Sequence, residues 1–426
     1  MFAATDLSRT TCGRARRRLW SSTLVLVACL PICALGAKYE GHGTTQAPFV
    51  IYTAEEFVMI GNNPGDWNGQ FRLMRDIDLS GYDEQNMKMI GQWAALGSTA
   101  NKPFNGIFDG NNKTIANFTY RDVHSEYVGL FQHVTGEIRD LKLLRPKVVG
   151  NGFGTGALIG HLERGGVLGC RLVDVDVSGN NDTGGLVGWA NGNVSTSSVT
   201  GHVSGVRYVG GFVGHIGKGT IAYSCAKAEV VGNESVGGLA GACTMQEGVV
   251  NSCYATGDVD GAYYVGGLVG QLASGRVFRC FSAGRVTGNQ YLGGLVGQER
   301  ALADATASLW DVQTSGQTTS VGGIGKTTAE MKSIDTYLAL NFDFFNTWAI
   351  CEGLNYPVLL WEIPEGDLCC PDGVSFLDFV WFALNWRHGH CSEMNYGCDG
   401  ADLDDSGDVE FRDLAIFAEN WLEGVE

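Results

Sequence analysis

A short glycine-rich motif returns through the middle of the chain at a nearly constant spacing. It reads Val-Gly-Gly-Leu-Val-Gly in its clearest copies, and the chain contains 62 glycines in 426 residues. The first glycines of the eight copies are Gly129, Gly156, Gly184, Gly210, Gly237, Gly266, Gly293 and Gly322, with steps of 27, 28, 26, 27, 29, 27 and 29 residues. This nearly constant spacing predicts a repeat protein in which every unit has the same structure.

Each unit also contains a stretch in which apolar and polar residues alternate, as in Val173-Asp174-Val175-Asp176-Val177. This alternation predicts a strand with one buried face. No unit shows an apolar 3.6-residue pattern of helical length. Because a unit of about 27 residues made of short strands cannot bury a core alone, we predict that residues 128–325 stack as a parallel β-solenoid. The glycines should occupy corners that need positive φ or close backbone approach.

Stacking would place equivalent residues of successive units in columns. One column of small residues comprises Cys170, Ser198, Cys225, Cys253 and Cys280. We predict that its cysteines are free buried thiols, because stacked side chains point in parallel and do not meet. An outward column comprises Asp176, His202, Glu229, Asp258 and Arg285. A column of aromatic residues could contact sugar faces or simply fill corners, and it comprises Tyr127, Tyr208, Tyr264 and Tyr291.

The regions on both sides of the repeats have different roles. Residues 1–36 combine clustered arginines, an apolar run and a small-x-small site, which predicts an export signal; a lipoprotein cleavage site at Cys29 is the alternative. No later stretch approaches about 18 apolar residues, so we predict no transmembrane segment in the mature chain. Residues 37–127 should form an N-terminal cap and the first coils. Residues 326–363 should form a C-terminal cap, with a helix over 328–340 and an aromatic run over 342–348 that cover the last coil.

The composition changes abruptly in residues 364–426. Residues 367–426 hold 2 basic and 14 acidic residues, a net charge of −12 out of −17 for the whole chain. So acidic a chain disfavours nucleic-acid binding. Residues 378–386 and 413–421 align at an offset of 35, and Leu414, Phe417, Ala418 and Trp421 have helical spacing. The tail therefore predicts two short helices with apolar faces that pack on each other.

A loop of twelve residues precedes the second helix and has the spacing of a calcium site. Its oxygen donors are the side chains of Asp402, Asp404, Ser406, Glu410 and Asp413 and the carbonyl of Asp408, with Gly407 at the sharp turn. Calcium prefers six to eight oxygen ligands, which this spacing gathers around one point. The corresponding first loop, 367–378, has Cys369 and Pro371 at ligand positions, so we predict one Ca²⁺ site, in the second loop.

The repeats resemble the GLUG repeats of bacterial surface and secreted proteins, and the tail resembles a type I dockerin. The first resemblance implies a β-solenoid stalk or adhesive surface without transferable catalytic residues. The second implies an EF-hand-like α-helical module with a cohesin-like partner or a cell-surface scaffold. At loop positions 10 and 11, where that family has small hydroxyl residues, this chain has Phe376, Leu377, Phe411 and Arg412. Cys369, Cys370, Cys391 and Cys398 could form two disulfides that replace the missing first-loop metal and stabilise that half of the module by constraining its loop.

The functional prediction follows from these assignments. We predict an exported, non-catalytic repeat protein that presents a solenoid surface for adhesion, scaffolding or carbohydrate contact and is tethered through its calcium module. No residue is assigned as catalytic. The alternative is a polysaccharide-degrading β-helix enzyme delivered by its dockerin-like module, with carboxylates drawn from Asp176, Glu229 and Asp258 beside His202.

Overall fold

The computed structural model describes residues 38–391 and 396–424, and within them the chain winds into a parallel β-solenoid. The predicted fold class is therefore confirmed. The predicted export signal, with Cys29, lies outside the described residues. Strands of one coil pair in parallel with the equivalent strands of the next, for example Val209 with Val236 and Val236 with Val265. Among the described residues, no helix is long and apolar enough to cross a membrane.

Five ladders of short strands run along the solenoid, and several long strands contribute to two of them. Ladder one comprises Phe49–Ile51, Gln70–Leu73, Ile107–Ala116, Glu137–Leu144, Gly166–Leu168, Asn193–Ser195, Thr220–Ala222, Val249–Asn251, Val269–Phe278 and Val296–Asp304. Ladder two comprises Ile77–Asp78, Ile107–Ala116, Glu137–Leu144, Arg171–Ser178, Ser198–Ser204, Cys225–Ala226, Tyr254–Ala255, Phe281–Ser282, Leu309–Asp311 and Ile324–Lys326.

The remaining ladders close each coil. Ladder three comprises Thr119–Asp122, Lys147–Gly150, Arg171–Ser178, Ser198–Ser204, Glu229–Val231, Val259–Gly266 and Val286–Gly293. Ladder four comprises Tyr127–Val128, Gly154–Gly156, Asn181–Gly184, Arg207–Gly210, Glu234–Gly237, Val259–Gly266 and Val286–Gly293. Ladder five comprises Phe131–Val134, Ile159–Leu162, Val187–Ala190, Val213–Ile216, Ala240–Cys243, Val269–Phe278 and Val296–Asp304.

The motif glycines allow the backbone of one coil to touch the next. A Cβ added to Gly238 would lie 2.3 Å from the carbonyl oxygen of Gly267, and one added to Gly267 would lie 2.2 Å from that of Gly294. Neither glycine has positive φ. Close approach, and not backbone conformation, is therefore the reason for glycine at these positions.

The small-residue column differs from its prediction in two coils. In the observed column each side chain accepts a hydrogen bond from the backbone N–H of its counterpart in the preceding coil. The accepting residues are Ser197, Ser224, Cys280 and Ser308. Ser197 and Ser224 thus replace the predicted Ser198 and Cys225. Cys225 points to the other side of its strand, where its thiol contacts Glu362 at 3.2 Å. Cys170, Cys225, Cys253 and Cys280 are buried free thiols, as predicted.

An N-terminal helix that was not predicted packs against the first coils. Helix α1 (Ala54–Asn62) begins at Thr53, whose side chain accepts the N–H of Glu56 while the Glu56 carboxylate accepts the N–H of Thr53. This capping box has the Thr-x-x-Glu spacing that marks helix starts. The buried Phe57 ring meets the Phe108 ring of ladder one edge-on at 5.8 Å. The helix therefore adds an apolar face to the core of the opening coils.

The C-terminal cap contains two helices where one was predicted over 328–340. Helix α2 (Thr328–Met331) ends at Lys332, and helix α3 (Ile334–Leu338) begins after Ser333. Their apolar residues pack with those of the following aromatic run on the outer face of ladder two; the buried members are Cys225, Tyr254, Phe281, Ala283, Leu309, Met331, Tyr337, Phe342, Trp348 and Leu359. The cap therefore covers a lateral face of the solenoid, whereas the prediction placed it on the last coil. It also includes an antiparallel pair, Trp348–Ala349 with Val358–Leu359.

The tail folds as a small helical module with its own core. Helices α4 (Phe376–Leu384), α5 (Tyr396–Asp399) and α6 (Phe411–Glu419) follow in order, and short 3₁₀ turns elsewhere in the chain span Pro64–Asp66 and Leu360–Glu362. The buried rings of Phe382 and Phe417 stack at 5.3 Å. The two duplicated helices therefore face each other through their aromatic residues.

The disulfides differ from the predicted set. Cys370 pairs with Cys351 of the cap, Cys391 pairs with Cys398, and Cys369 is free. The prediction missed Cys351 because it lies outside the tail. Cys351 is adjacent in space to the first loop, since the Asn355 side-chain amide donates to the Pro371 carbonyl at 2.9 Å. The tail is thus covalently joined to the cap.

Candidate functional site

The second tail loop brings three of the predicted metal ligands together. Carboxylate oxygens of Asp402, Asp404 and Asp413 lie within 4.8 Å of one another. Gly407 turns the chain at φ +93° and donates its N–H to Asp402 Oδ2 at 2.9 Å. Asp413 is fully buried and accepts the N–H groups of Leu403, at 2.7 Å, and Glu410, also at 2.7 Å. The loop is therefore wrapped around the carboxylates.

The other three predicted ligands lie at the edge of this cluster. Ser406 Oγ donates to the Asp408 carbonyl at 3.1 Å, so a hydroxyl and a carbonyl oxygen are adjacent. Glu410 is exposed at the start of α6 and does not belong to the three-carboxylate cluster. The described geometry thus assembles three carboxylates and leaves one at the rim.

The first loop repeats the same hydrogen-bond frame. Asp378 Oδ1 accepts the N–H of Leu368 at 2.8 Å, as Asp413 does for Leu403. Asp367 accepts the N–H of Gly373 at 3.0 Å. Asp367, Asp372 and Asp378 form a second cluster within 4.8 Å. Sequence reasoning missed Asp372, because it stands at the glycine position of the second loop; the one-residue delay of Gly373 was the available signal.

The carboxylates of the first loop are electrostatically crowded. Burial, together with the adjacent Asp378 and Asp372 carboxylates, raises the pKa of Asp367 to about 6. Burial also acts to raise the pKa of Asp378, but hydrogen bonds from Ser375, Cys369 and Leu368 outweigh it and lower that pKa. A cation at this point would relieve repulsion among like charges.

The donor set of the second loop fits a hard cation. Carboxylate, hydroxyl and carbonyl oxygens are the ligands that calcium prefers, and every side chain at a ligand position of the second loop offers oxygen. The first loop has the thiol of Cys369 and the ring of Pro371 where the second has Asp404 and Ser406. The second loop is therefore the better candidate, in which Asp402, Asp404 and Asp413 would hold an ion and Ser406, Asp408 and Glu410 would lie close to it.

Helix α4 leaves an apolar surface exposed beside these loops. Phe376 and Leu377 are 67% and 65% exposed, and Leu384 is 68% exposed. On the other helix, Phe411 is 78% exposed. Contiguous exposed apolar side chains of this kind mark interaction surfaces in soluble proteins. The surface, hereafter the α4 patch, consists of Phe376, Leu377, Phe379, Val380, Trp381 and Leu384.

The tyrosine column is present but not uniform. Tyr208, Tyr264 and Tyr291 lie in one column of ladder four, each with a φ of +55° to +58°. Tyr264 and Tyr291 stack face to face at 5.0 Å, so that each covers one face of the other. Tyr127 is buried and packs on His161 at 4.7 Å and on Trp93 at 5.1 Å. Ligand contact by this column is thus restricted to its exposed end, near Tyr291.

The outward column has the predicted register, and its carboxylates contact side chains of adjacent coils. Asp176 accepts from Lys147 at 2.6 Å, His202 lies 3.6 Å from Glu229, and Asp258 meets Arg285 at 3.0 Å. All of these side chains are at least 42% exposed. Each of these carboxylates thus has a basic or imidazole neighbour, and such exposed pairs are typical of a solvated surface.

No family model matches the chain, so the resemblances to GLUG repeats and type I dockerins remain predictions. Halomucin of Haloquadratum walsbyi is 31% identical over 348 residues, which are 76% of this chain and 3% of Halomucin. A protein of Evansella cellulosilytica named "Putative Gly-rich membrane protein" is 32% identical over 124 residues, which are 29% of this chain and 14% of that protein. The chain thus spans only a small part of these relatives.

The comparison with solved structures supports the fold and corrects one prediction. A crystal structure from Bacteroides ovatus named "putative immunoglobulin A1 protease" has a TM-score of 0.50 at 20% identity, covering 76% of this chain and 96% of that chain. At this identity the similarity shows a shared solenoid fold. The prediction that the chain is not an enzyme is contradicted, because a protein of the same fold carries a protease name. A solenoid without a recognised catalytic motif is therefore no argument against activity.

Proposed function

We propose that this protein is an exported β-solenoid that is held to a surface or scaffold by its C-terminal module, which folds around calcium and docks on a partner protein. The observation that carries the proposal is the duplicated loop-and-helix unit, in which the hydrogen-bond frame around Asp413 is repeated around Asp378. The frame surrounds carboxylates within 4.8 Å of one another in both loops, and the oxygen donors of the second loop favour calcium binding there.

Calcium would act here through the folding of the module. Without a cation, the carboxylates of Asp402, Asp404 and Asp413 repel one another. The module's own core is small; its buried members are Val374, Phe382, Cys398, Ala401, Val409 and Phe417. In so small a core, the free energy of metal binding becomes a large part of the free energy of folding. Bound calcium would thereby fix α4 and α6 in the arrangement that presents the α4 patch.

The α4 patch supports a protein partner with an apolar contact surface. Its aromatic residues Phe376, Phe379 and Trp381 are of the types enriched at interface centres. The tail around them is strongly acidic, with a net charge of −12 over residues 367–426. A partner with an apolar centre and a basic rim would match both features. The departure from small hydroxyl residues at Phe376 and Leu377 favours a partner unlike a standard cohesin.

The connection between tail and cap suits a tether. The Cys351–Cys370 disulfide and the hydrogen bond from Asn355 to Pro371 link the first loop to the cap. The cap is in turn joined to the solenoid, since the Tyr254 hydroxyl donates to Glu362 at 2.8 Å and Lys227 pairs with Glu362 at 3.1 Å. Docking through the tail would therefore hold the solenoid in a defined direction, with its ladders available for contact.

Retention on the envelope fraction of the source organism tests this proposal. We expect the purified full chain to sediment with that fraction in calcium and to be released by a calcium chelator. Phe376→Ser combined with Leu384→Ser should abolish retention while leaving calcium binding intact. Phe345→Ser, which changes an equally exposed aromatic residue of the cap, serves as the control. Retention that is indifferent to both chelator and α4 changes would contradict the proposal.

A further inference from the structure

The corner between ladder five and ladder one varies in length, and among the described coils it is longest in one of them. Between ladder five and ladder one, Ile216 and Thr220 are separated by three residues, and so are Leu272 and Arg276 of a later coil. In the coil between them, five residues separate Cys243 from Val249. Two extra residues therefore bulge outward, in the loop that Thr244 begins. Insertions in otherwise regular repeats commonly carry function.

The inserted loop places a hydroxyl against an imidazole whose other nitrogen faces a carboxylate. Thr244 Oγ1 lies 2.7 Å from His215 Nε2. His215 Nδ1 lies 3.4 Å from Asp182 Oδ1. These three residues come from three successive coils, so only the solenoid stacking brings them together. A hydroxyl, an imidazole and a carboxylate in this order form the arrangement of a nucleophile, a base and an orienting acid.

The surroundings hold the imidazole in one orientation. The Trp189 ring stacks on the His215 ring at 5.2 Å and 14°, and the Tyr208 ring lies at 5.3 Å on the neighbouring column. Asp182 is only 4% exposed, and its Oδ1 has no conventional hydrogen-bond partner in the described part of the chain. A buried carboxylate facing Nδ1 favours the tautomer with hydrogen on Nδ1, which leaves the Nε2 lone pair for the Thr244 hydroxyl.

We propose that Asp182, His215 and Thr244 form a site for acyl transfer on an ester or amide carbonyl, with Thr244 Oγ1 as nucleophile, His215 as general base and Asp182 as positioning residue. Thr244 Oγ1 forms a bond to the carbonyl carbon while its proton passes to His215 Nε2. The carbonyl π pair moves to oxygen and then returns, which breaks the bond to the leaving group. His215 gives its proton to the departing alcohol or amine, and Thr244 is left as an ester.

Water completes the reaction without any further reagent. His215 Nε2 takes a proton from water, whose oxygen forms a bond to the acyl carbon. The bond to Thr244 Oγ1 breaks, and the threonine recovers its proton from His215, so that acid and alcohol or amine are the products. The N–H groups of Met245 and Gln246 follow the nucleophile directly, and neither donates to another group within the described residues. In this proposal they are the backbone donors for the developing oxyanion.

The imidazolium formed in this reaction would be stabilised by its surroundings. Burial raises the pKa of Asp182, and His215 and Arg207 partly offset the effect. Positive charge that develops on His215 during the reaction would therefore stabilise the buried carboxylate of Asp182. The site lies on the solenoid face and uses none of the tail residues, so it is independent of calcium binding and docking.

A fluorophosphonate probe tests the proposal on the full chain. The threonine oxygen would form a bond to phosphorus as fluoride leaves and the proton passes to His215. We expect one label per chain on Thr244, located by mass spectrometry of peptides. Thr244→Ala and His215→Ala should each lower the labelling rate about 100-fold or more. Thr244→Ser should keep the label at position 244, and Asp182→Asn should give an intermediate rate.

Matched controls separate this reaction from surface reactivity. Thr287 also has a hydroxyl beside a carboxylate, at 2.7 Å from Asp260, but no histidine partner in the described geometry. Thr287→Ala should therefore label at the parent rate. Unlabelled parent protein, or label that persists in a folded His215→Ala variant, would overturn the assignment. If Thr244→Ala does not fold, absence of label at position 244 in Thr244→Ser would overturn it equally.

Discussion

The contact between motif glycines of adjacent coils gives a sharp prediction for Gly267→Ala. The added Cβ would lie 2.2 Å from the carbonyl oxygen of Gly294 and 2.9 Å from Ser282 Oγ. The first of these atoms belongs to the backbone and cannot rotate away. Two coils would have to separate by roughly 1.2–1.8 Å to reach an ordinary van der Waals distance.

The energetic cost follows from the bonds at this corner. Leu268 N donates to Leu295 O at 2.9 Å, and Gly267 N donates to Gly293 O at 3.2 Å. Loss of two buried hydrogen bonds costs about 1 kcal/mol each, and overpacking adds about 1–3 kcal/mol. We therefore expect Gly267→Ala to destabilise the solenoid by about 3–5 kcal/mol. Because repeats are coupled mainly to their neighbours, the variant should also split the unfolding into two transitions.

Urea unfolding followed by far-ultraviolet circular dichroism measures this effect. Gly81→Ala is the matched control, since a Cβ at Gly81 would meet nothing within 4 Å. The control should unfold within about 0.5 kcal/mol of the parent. A Gly267→Ala variant that unfolds at the parent midpoint would refute close coil contact as the reason for the glycine motif.

Three further predictions concern the core, the cap and the column ends. Burial, reinforced by the neighbouring His133, lowers the pKa of His161 to about 3, whereas the pKa in the unfolded chain is about 6.5. The contribution of His161 to the free energy of unfolding is therefore complete above pH 6.5 and is lost as the pH falls toward 3. The loss amounts to about 2 kcal/mol by pH 5. Urea unfolding at pH 7 and pH 5 should show this loss in the parent but not in His161→Leu, and an equal pH dependence in both would disprove it. Cys351→Ser removes a link across 19 residues and should destabilise the junction of cap and tail by about 3 kcal/mol; limited proteolysis should then release the tail, and unchanged protection would argue against a structural role. Tyr291→Ala should weaken the binding of a soluble glycan more than Tyr127→Ala does, because Tyr291 is exposed and Tyr127 is buried. Affinity electrophoresis in which Tyr127→Ala has the larger effect would contradict this prediction.

The repeat pattern predicted the solenoid because eight copies of one spacing leave few other ways to bury the alternating strands. The register of the outward column was also predictable, since Val177, Val203 and Val230 fix which side faces inward. The small-residue column was placed one residue off at Ser198 and Cys225. The error was one of alignment, because the residue before each column member has positive φ in these coils, at Gly169, Thr196, Tyr223, Ser252 and Arg279, and this shared turn has no common residue type in the sequence.

Contacts between distant segments set the limits of prediction at the candidate sites. Asp402, Asp404 and Asp413 were predictable because one local loop supplies them all. The Cys351–Cys370 pair joins the cap to the tail, and the spacing of cysteines within the tail gives no indication of a partner in the cap. Asp182, His215 and Thr244 are separated by about one coil each, and the motif spacing does not single out their unit, because a step of 29 residues follows both Gly237 and Gly293. The longer corner becomes visible when the strands of successive coils are aligned by their pairing in the structure, because the glycine motif alone does not locate it.

Calorimetric titration of calcium into the chelator-treated full chain tests the proposed tether most directly. We predict saturable binding at the second loop, accompanied by a near-ultraviolet signal from the tail tryptophans, and loss of that binding in Asp413→Ala. Asp378→Ala should leave the second-loop heat in place, and Asp176→Ala, which removes an exposed solenoid carboxylate, should change nothing. Calcium binding of parent strength in Asp413→Ala, or no binding in the parent, would contradict the account.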